Sequence, residues 1–157
     1  MNSSVQKQEK YFFEDKEKQA ELKKILDSWI GTPFRHFSGV KGCGCDCIHF
    51  IASVFEEVGV QPEGFYIQRY TKDWHLHNSK ELLLEGIKAQ LRVKHVGLFP
   101  PMNGDVYLFQ FGKVISHAAI FCDGSLYQSL TDIGVQKLPF FDRNWDKRKK
   151  YNFRVLK

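Results

Sequence analysis

The chain has no apolar run near the roughly 20 residues that a membrane-spanning helix needs, so stable membrane insertion is not expected. Its first residues, MNSSVQKQEKYFFEDKEKQ, hold neither the apolar core nor the small-residue cleavage site of a signal peptide. The expectation is synthesis and retention in a reducing cytosol, unless a separate machine exports the protein. Cysteine is scarce, with four in 157 residues. In such a compartment four cysteines are poor grounds for disulfides. Internal repeats and low-complexity linkers are absent. So are zinc-finger spacing, an aromatic RNA-binding signature and a clear helix-turn-helix. Nucleic acid is therefore not the expected partner, although the net charge is +5. Much of that excess lies in DRNWDKRKKYNFR near the end, read as a solvated basic terminus.

What is present is an ordinary globular composition, 43% hydrophobic and 26% charged, rich in Phe. The length suits one domain with a real core, taken as residues 1–157 with 1–17 a helical or partly disordered extension. Residues 7–30 lack Gly and Pro, and Phe12, Leu22, Ile25, Leu26 and Trp29 form an apolar stripe, which predicts a helix ended by GTP at 31–33. Asp46 is a natural N-cap for a buried helix over 47–58, closed by Gly59. A shorter helix is expected from Ser79 to about Arg92. From Gly104 the pattern turns to short strands, DVYLFQF, SHAAIFC, SLYQSL, VQKLPF and YNFRVL, joined by Gly- and Asp-containing turns. Helices followed by an antiparallel meander read as α+β.

Three of the cysteines stand together in KGCGCDCIHF, at 43, 45 and 47. Structural zinc wants four ligands, usually from two separated pairs. No second pair lies downstream, and His36 or His49 would complete the set only at an unfamiliar spacing. Cys43, Cys45 and Cys122 fit small buried core residues. Cys47 does not, because it opens a helix directly after its cap. Free N–H groups and a positive partial charge at that end favour a thiolate and suit an oxyanion. Proximity alone also raises an oxidative switch between Cys47 and its two neighbours.

A thiol nucleophile needs a base, and the base needs a group to orient it. Of six histidines, His117 opens a strand among small residues. If Asp123-Gly124 is a two-residue turn, Cys122 lies opposite Ser125, and His117 becomes a diagonal neighbour of Gln128. The Gln128 amide oxygen then accepts from one ring N–H and leaves the other nitrogen to the thiol. Asp132 is the second choice for that role, and an ordinary polar strand residue is the alternative reading of Gln128.

Taken together, GTPFRH, GCDCIHF, NGDVYLF and SHAAIF, with a polar residue one strand later, resemble the NlpC family of cell-wall cysteine peptidases. The closer likeness is to its phage-tail and gene-transfer-agent subgroup, and it runs from about residue 18 to 156. The resemblance implies a papain-like fold, with N-terminal helices on an antiparallel sheet of five to six strands. It implies Cys47 as nucleophile, His117 as base and Gln128 as orienting residue. Asp46 falls where the family's Asp contacts a substrate amine, and Ser116, His36 and Phe34 fall at substrate-facing positions. Phe34 replaces the family's usual Tyr, and Ile48 its frequent Ser. The implied reaction is hydrolysis of peptide bonds in peptidoglycan stem peptides, with no metal or cofactor, and with a phage tail or secretion machinery as the route to the wall. The rivals are an amidase or acyltransferase on a non-wall substrate, and a catalytically weak wall-binding or tail module.

Overall fold

The computed structural model describes residues 8–77 and 80–157. The first long helix, α1, spans Lys16–Trp29, because Asp15 caps it by accepting from the Glu17 amide at 2.8 Å. The expected start near residue 7 is therefore too early. A single 3-10 turn, Phe12–Glu14, precedes α1. It buries Phe13 rather than Phe12, which the apolar stripe had favoured. Tyr11 bridges Leu156, so this segment is tied to the last strand.

Two short strands, β1 (Gly39–Val40) and β2 (Gly44–Cys45), pair antiparallel ahead of the helix α2, Cys47–Glu57. Asp46 caps α2 as expected, and Gly59 leaves it at φ +88°. A four-residue helix α3 (Trp74–His77) follows, then α4 (Leu82–Gln90). The α4 span is shorter than expected, and Ser79 lies outside the described residues. Among the described residues, no helix is long and apolar enough to cross a membrane.

The remaining strands are β3 (Val93–His95), β4 (Val106–Phe111), β5 (Val114–Cys122), β6 (Ser125–Leu130) and β7 (Gly134–Pro139), then a short helix α5 (Arg143–Asp146) and β8 (Lys149–Val155). They form a six-stranded antiparallel sheet in the order β3-β8-β4-β5-β6-β7. All five expected strands are present. The meander holds only from β4 to β7, since β8 crosses back between β3 and β4. The basic end is solvated as expected at Arg143, Lys147, Arg148 and Lys150, and Arg154 departs from that reading. Arg154 is buried there, and its guanidinium grips the fully buried Asp105 through two 2.9 Å hydrogen bonds.

Helix α2 lays Phe50, Ile51, Val54 and Phe55 into the main core, with Leu22, Leu26 and Trp29 of α1 and with Ala118 and Ile120 of β5. The other face of the sheet carries a smaller cluster of Tyr107, Phe109, Ala119, Phe121 and Leu126, covered by Phe140 and Trp145. The β5–β6 turn places Asp123 and Gly124 both at positive φ, +47° and +77°. This is the backbone a two-residue hairpin with right-handed twist requires. Its register is the expected one, with Cys122 opposite Ser125 and Ile120 opposite Tyr127.

The segment after α1 is stitched to β7. Gly31 donates to the Val135 carbonyl at 3.1 Å, and Val135 to the Thr32 carbonyl at 2.9 Å. Gly134 sits at φ +88°, and a Cβ added there would lie 2.4 Å from the Thr32 oxygen. Gly134→Ala is therefore expected to lower stability by more than about 1 kcal/mol. A urea midpoint equal to wild type would refute this.

Candidate active site

Cys47 is the first residue of α2, and its half-buried side chain rests against β5. The sulfur lies 3.8 Å from the Ser116 carbonyl oxygen. The backbone N–H groups of Ala118, Cys47 and Ile48 act on it as donors. These favour a thiolate, as the helix N-terminus predicts. Burial and the Asp46 charge outweigh them, so the thiol is pushed up to about 12. The expectation of a lowered Cys47 pKa is thus reversed, because the sequence does not show how little water reaches the sulfur.

His117 is buried on β5 with rings on three sides, Phe109, Phe111 and Trp145, at centroid distances of 5.7, 6.0 and 5.4 Å. Its Nε2 donates to Gln128 Oε1 at 2.7 Å. Gln128 is 1% exposed. The pairing expected from the hairpin register is therefore present, and it leaves Nδ1 as the bare acceptor nitrogen. Asp132, the second choice, is exposed in the β6–β7 turn at φ +67°. Among the described residues, no hydrogen bond joins Cys47 to His117. Burial pulls the imidazole down to about 4, partly offset by Gln128.

This shift has a sign for stability. As pH falls, the unfolded chain binds the proton first, near 6.5, while folded His117 resists until about 4. Stability from the buried neutral ring is complete above that upper value and is lost across the window down to about 4. The total is about 3 kcal/mol. His117→Phe should flatten that part of the stability profile, measured by urea unfolding at pH 7 and pH 4.5. An unchanged slope would count against a buried neutral imidazole.

Asp46 does more than cap. Its Oδ1 accepts from the His49 amide at 2.9 Å and from His49 Nδ1 at 2.8 Å. Its Oδ2 accepts from the Phe37 amide at 2.8 Å and from the Tyr70 hydroxyl. Burial works against the charge, yet hydrogen bonds from the His49 ring, Tyr70 and the His49 amide hold the carboxyl below its usual range. All four acceptor positions of this carboxylate are filled from within. An incoming amine would have to displace a donor, and Tyr70 is the one from a distant irregular segment. Burial first, then the Asp46 charge, push the Tyr70 phenol well above its usual range, so it stays protonated and donating.

Tyr70 also packs edge-on against His36 and Phe37, at 5.4 and 5.3 Å. His36 thus joins a ring cluster over Asp46. Phe34 is bridged to Cys45 along the parallel strand edge just before the nucleophile. Ser116 presents its carbonyl, not its hydroxyl, to Cys47; the hydroxyl donates to the Phe111 carbonyl at 3.4 Å. Cys45 is fully buried, and its thiol, raised to about 11 by burial, donates to Ser129 Oγ at 3.6 Å. Cys43 is exposed.

Sequence reasoning missed Tyr70, Phe109 and Phe111. Phe109 stands opposite His117 only because the register shifts between Phe109 and Gln110; counting from Phe111 opposite Val114 would have put Leu108 there. Tyr70 gives no register signal.

The backbone agrees with solved structures of one kind. A Staphylococcus aureus protein described as similar to lipoprotein, NLP/P60 family, superposes with a TM-score of 0.65 at 17% identity over 100% of this chain. This chain spans only 45% of that protein. The NlpC/p60 domain of the peptidoglycan hydrolase SagA gives 0.55 at 17% identity, covering 87% of this chain and 97% of that domain. The fold is that of NlpC/P60 domains. RipD from Mycobacterium tuberculosis, described as a non-catalytic NlpC/p60 domain protein adapted to peptidoglycan binding, gives 0.51 at 11% identity, over 87% of this chain and 95% of that one. No family model matches the sequence, and no curated protein does. At these identities the likeness to NlpC/P60 domains establishes the fold.

Proposed function

We propose that this chain is a cysteine amidohydrolase that cleaves peptide bonds in peptidoglycan stem peptides, with Cys47 as nucleophile, His117 as base and Gln128 as orienting residue. The observation that carries this is the His117–Gln128 hydrogen bond on the strand against which the Cys47 sulfur rests. It fixes the tautomer in which Nδ1 accepts a proton. A neutral amide does this without the extra stabilisation of imidazolium that a carboxylate supplies.

Both groups are neutral at rest, so proton transfer to Nδ1 accompanies sulfur attack on the carbonyl carbon. The oxyanion accepts from backbone N–H groups around the start of α2. Imidazolium returns its proton to the leaving amine as the C–N bond breaks. Water, deprotonated by His117, then releases the acyl group from sulfur. The carried-over role of Asp46 as amine contact requires the substrate to replace Tyr70. Delivery by a phage tail or a secretion machinery, after cytoplasmic synthesis, rests on the subgroup resemblance in GTPFRH and GCDCIHF.

The second reading is a wall-binding module. The raised Cys47 thiol and the absence of a described Cys47–His117 hydrogen bond favour it. The test is digestion of purified peptidoglycan and its soluble stem peptides, with products read by mass spectrometry. New fragments are expected. Intact peptides, with the protein sedimenting on the wall, would replace the hydrolase by the binding module.

A further inference from the structure

Beside the proposed nucleophile, α2 and α4 do not close on each other. Between them lies a cavity of about 310 Å³. This is at the lower end of the size of small-molecule sites. Its walls include Ile48, Ile51, Phe55, Trp74, Leu83 and Ala118. Five of these walls, Ile51, Phe55, Trp74, Leu83 and Ala118, belong to the main core. An apolar cavity of this kind stays dry or takes an apolar guest. Peptidoglycan stem peptides, built around charged and polar groups, have little to place there.

Two features connect the cavity to the chemistry. Ile48 and Ala118 line it, and they supply two of the three backbone N–H groups that act on the Cys47 sulfur. The Tyr70 ring lines it too, while its hydroxyl holds Asp46.

A third feature concerns what keeps the space open. Gly86 lies inside α4 and lines the cavity. A Cβ built on it meets no atom within 4 Å. Glycine inside a helix costs about 0.5–1 kcal/mol relative to alanine. Neither a turn nor a close backbone approach requires it here.

We infer that this cavity is an acyl-binding site, and that the Cys47 centre also hydrolyses N-acyl amides bearing a medium-length aliphatic chain. The inference rests on the reading of Cys47 as nucleophile and adds a substrate class to it. The thiol adds to the acyl carbonyl, and its proton passes through His117 to the amine as the C–N bond breaks. The resulting thioester takes up one water to give the free fatty acid and the thiol. The products are one carboxylic acid and one amine per amide and water consumed.

The test uses N-acylglycinamides with two, four, six and eight acyl carbons, following glycinamide release. Each added methylene is expected to raise kcat/KM about fourfold until the cavity is full. Gly86→Leu should flatten that dependence. Ala52→Leu, from the α2 wall, is the second variant should the first not fold. In parallel, N-octanoylglycinamide binding to Cys47→Ala is measured by calorimetry, with and without Gly86→Leu. Binding weakened at least tenfold by Gly86→Leu supports the acyl site, even if no amide is turned over; in that case the nucleophile reading alone fails. Cys47-dependent turnover with no chain-length dependence and no octanoyl binding overturns the acyl site and leaves the nucleophile standing. Octanoyl binding indifferent to both cavity variants also overturns it.

Discussion

Cys47→Ala is expected to reduce turnover of any amide this site accepts by on the order of 10⁴-fold or more, with the far-UV spectrum and unfolding midpoint close to wild type. The substitution removes one sulfur from a half-buried position, so little packing is lost. His117→Ala should fall to a similar floor. The double variant should be no worse than either, because base and nucleophile act as one unit. Gln128→Ala should cost less: it frees the ring to adopt either tautomer without removing the base. Activity surviving in Cys47→Ala would sink the nucleophile assignment outright. Losses of the two single variants that multiply in the double would show that Cys47 and His117 act separately.

The second large effect is structural. Asp105→Ala is expected to destabilise the fold by about 3–5 kcal/mol. It would strand the guanidinium of Arg154, which is 9% exposed and shares two hydrogen bonds with that carboxylate. The carboxylate also accepts from the Met102 amide, so the turn into β4 loosens as well. The corresponding fall in Tm is roughly 6–20 °C. Replacing both partners, Asp105→Leu with Arg154→Leu, should be milder than Asp105→Ala, since no uncompensated charge remains. Thermal unfolding of the three proteins decides it. A single variant no worse than the double would mean that the pair carries no buried-charge penalty.

What could be read from the residues was local. The start of α2 follows from Asp46 and the apolar spacing after it. The β5–β6 hairpin follows from Asp123-Gly124, and with its register came the His117–Gln128 contact. The tautomer of the proposed base was thus legible from a turn dipeptide and the two-residue period of a strand. Contacts between distant segments were not. Tyr70 reaches Asp46 from an irregular stretch with no periodicity. Strand β8 inserts beside β4 although three strands and a helix intervene along the chain. The acyl cavity exists because α4 stands off from α2, and no spacing rule encodes that gap. The Cys47 pKa followed the same logic. Helix position was visible and argued for a thiolate, whereas burial was invisible and prevailed.

The carboxylate that anchors α2 also bears on the temper of the residue beside it. Burial first, and then the full negative charge of Asp46 beside it, keep the Cys47 thiol protonated. Oxidants and electrophiles attack thiolates, so a sulfur held in this form is slow to be oxidised or capped while the protein waits. The group that displaces Tyr70 from Asp46 would bring a positive charge to that carboxylate and ease the smaller of these two restraints. An empty site, with both restraints in place, would stay chemically quiet.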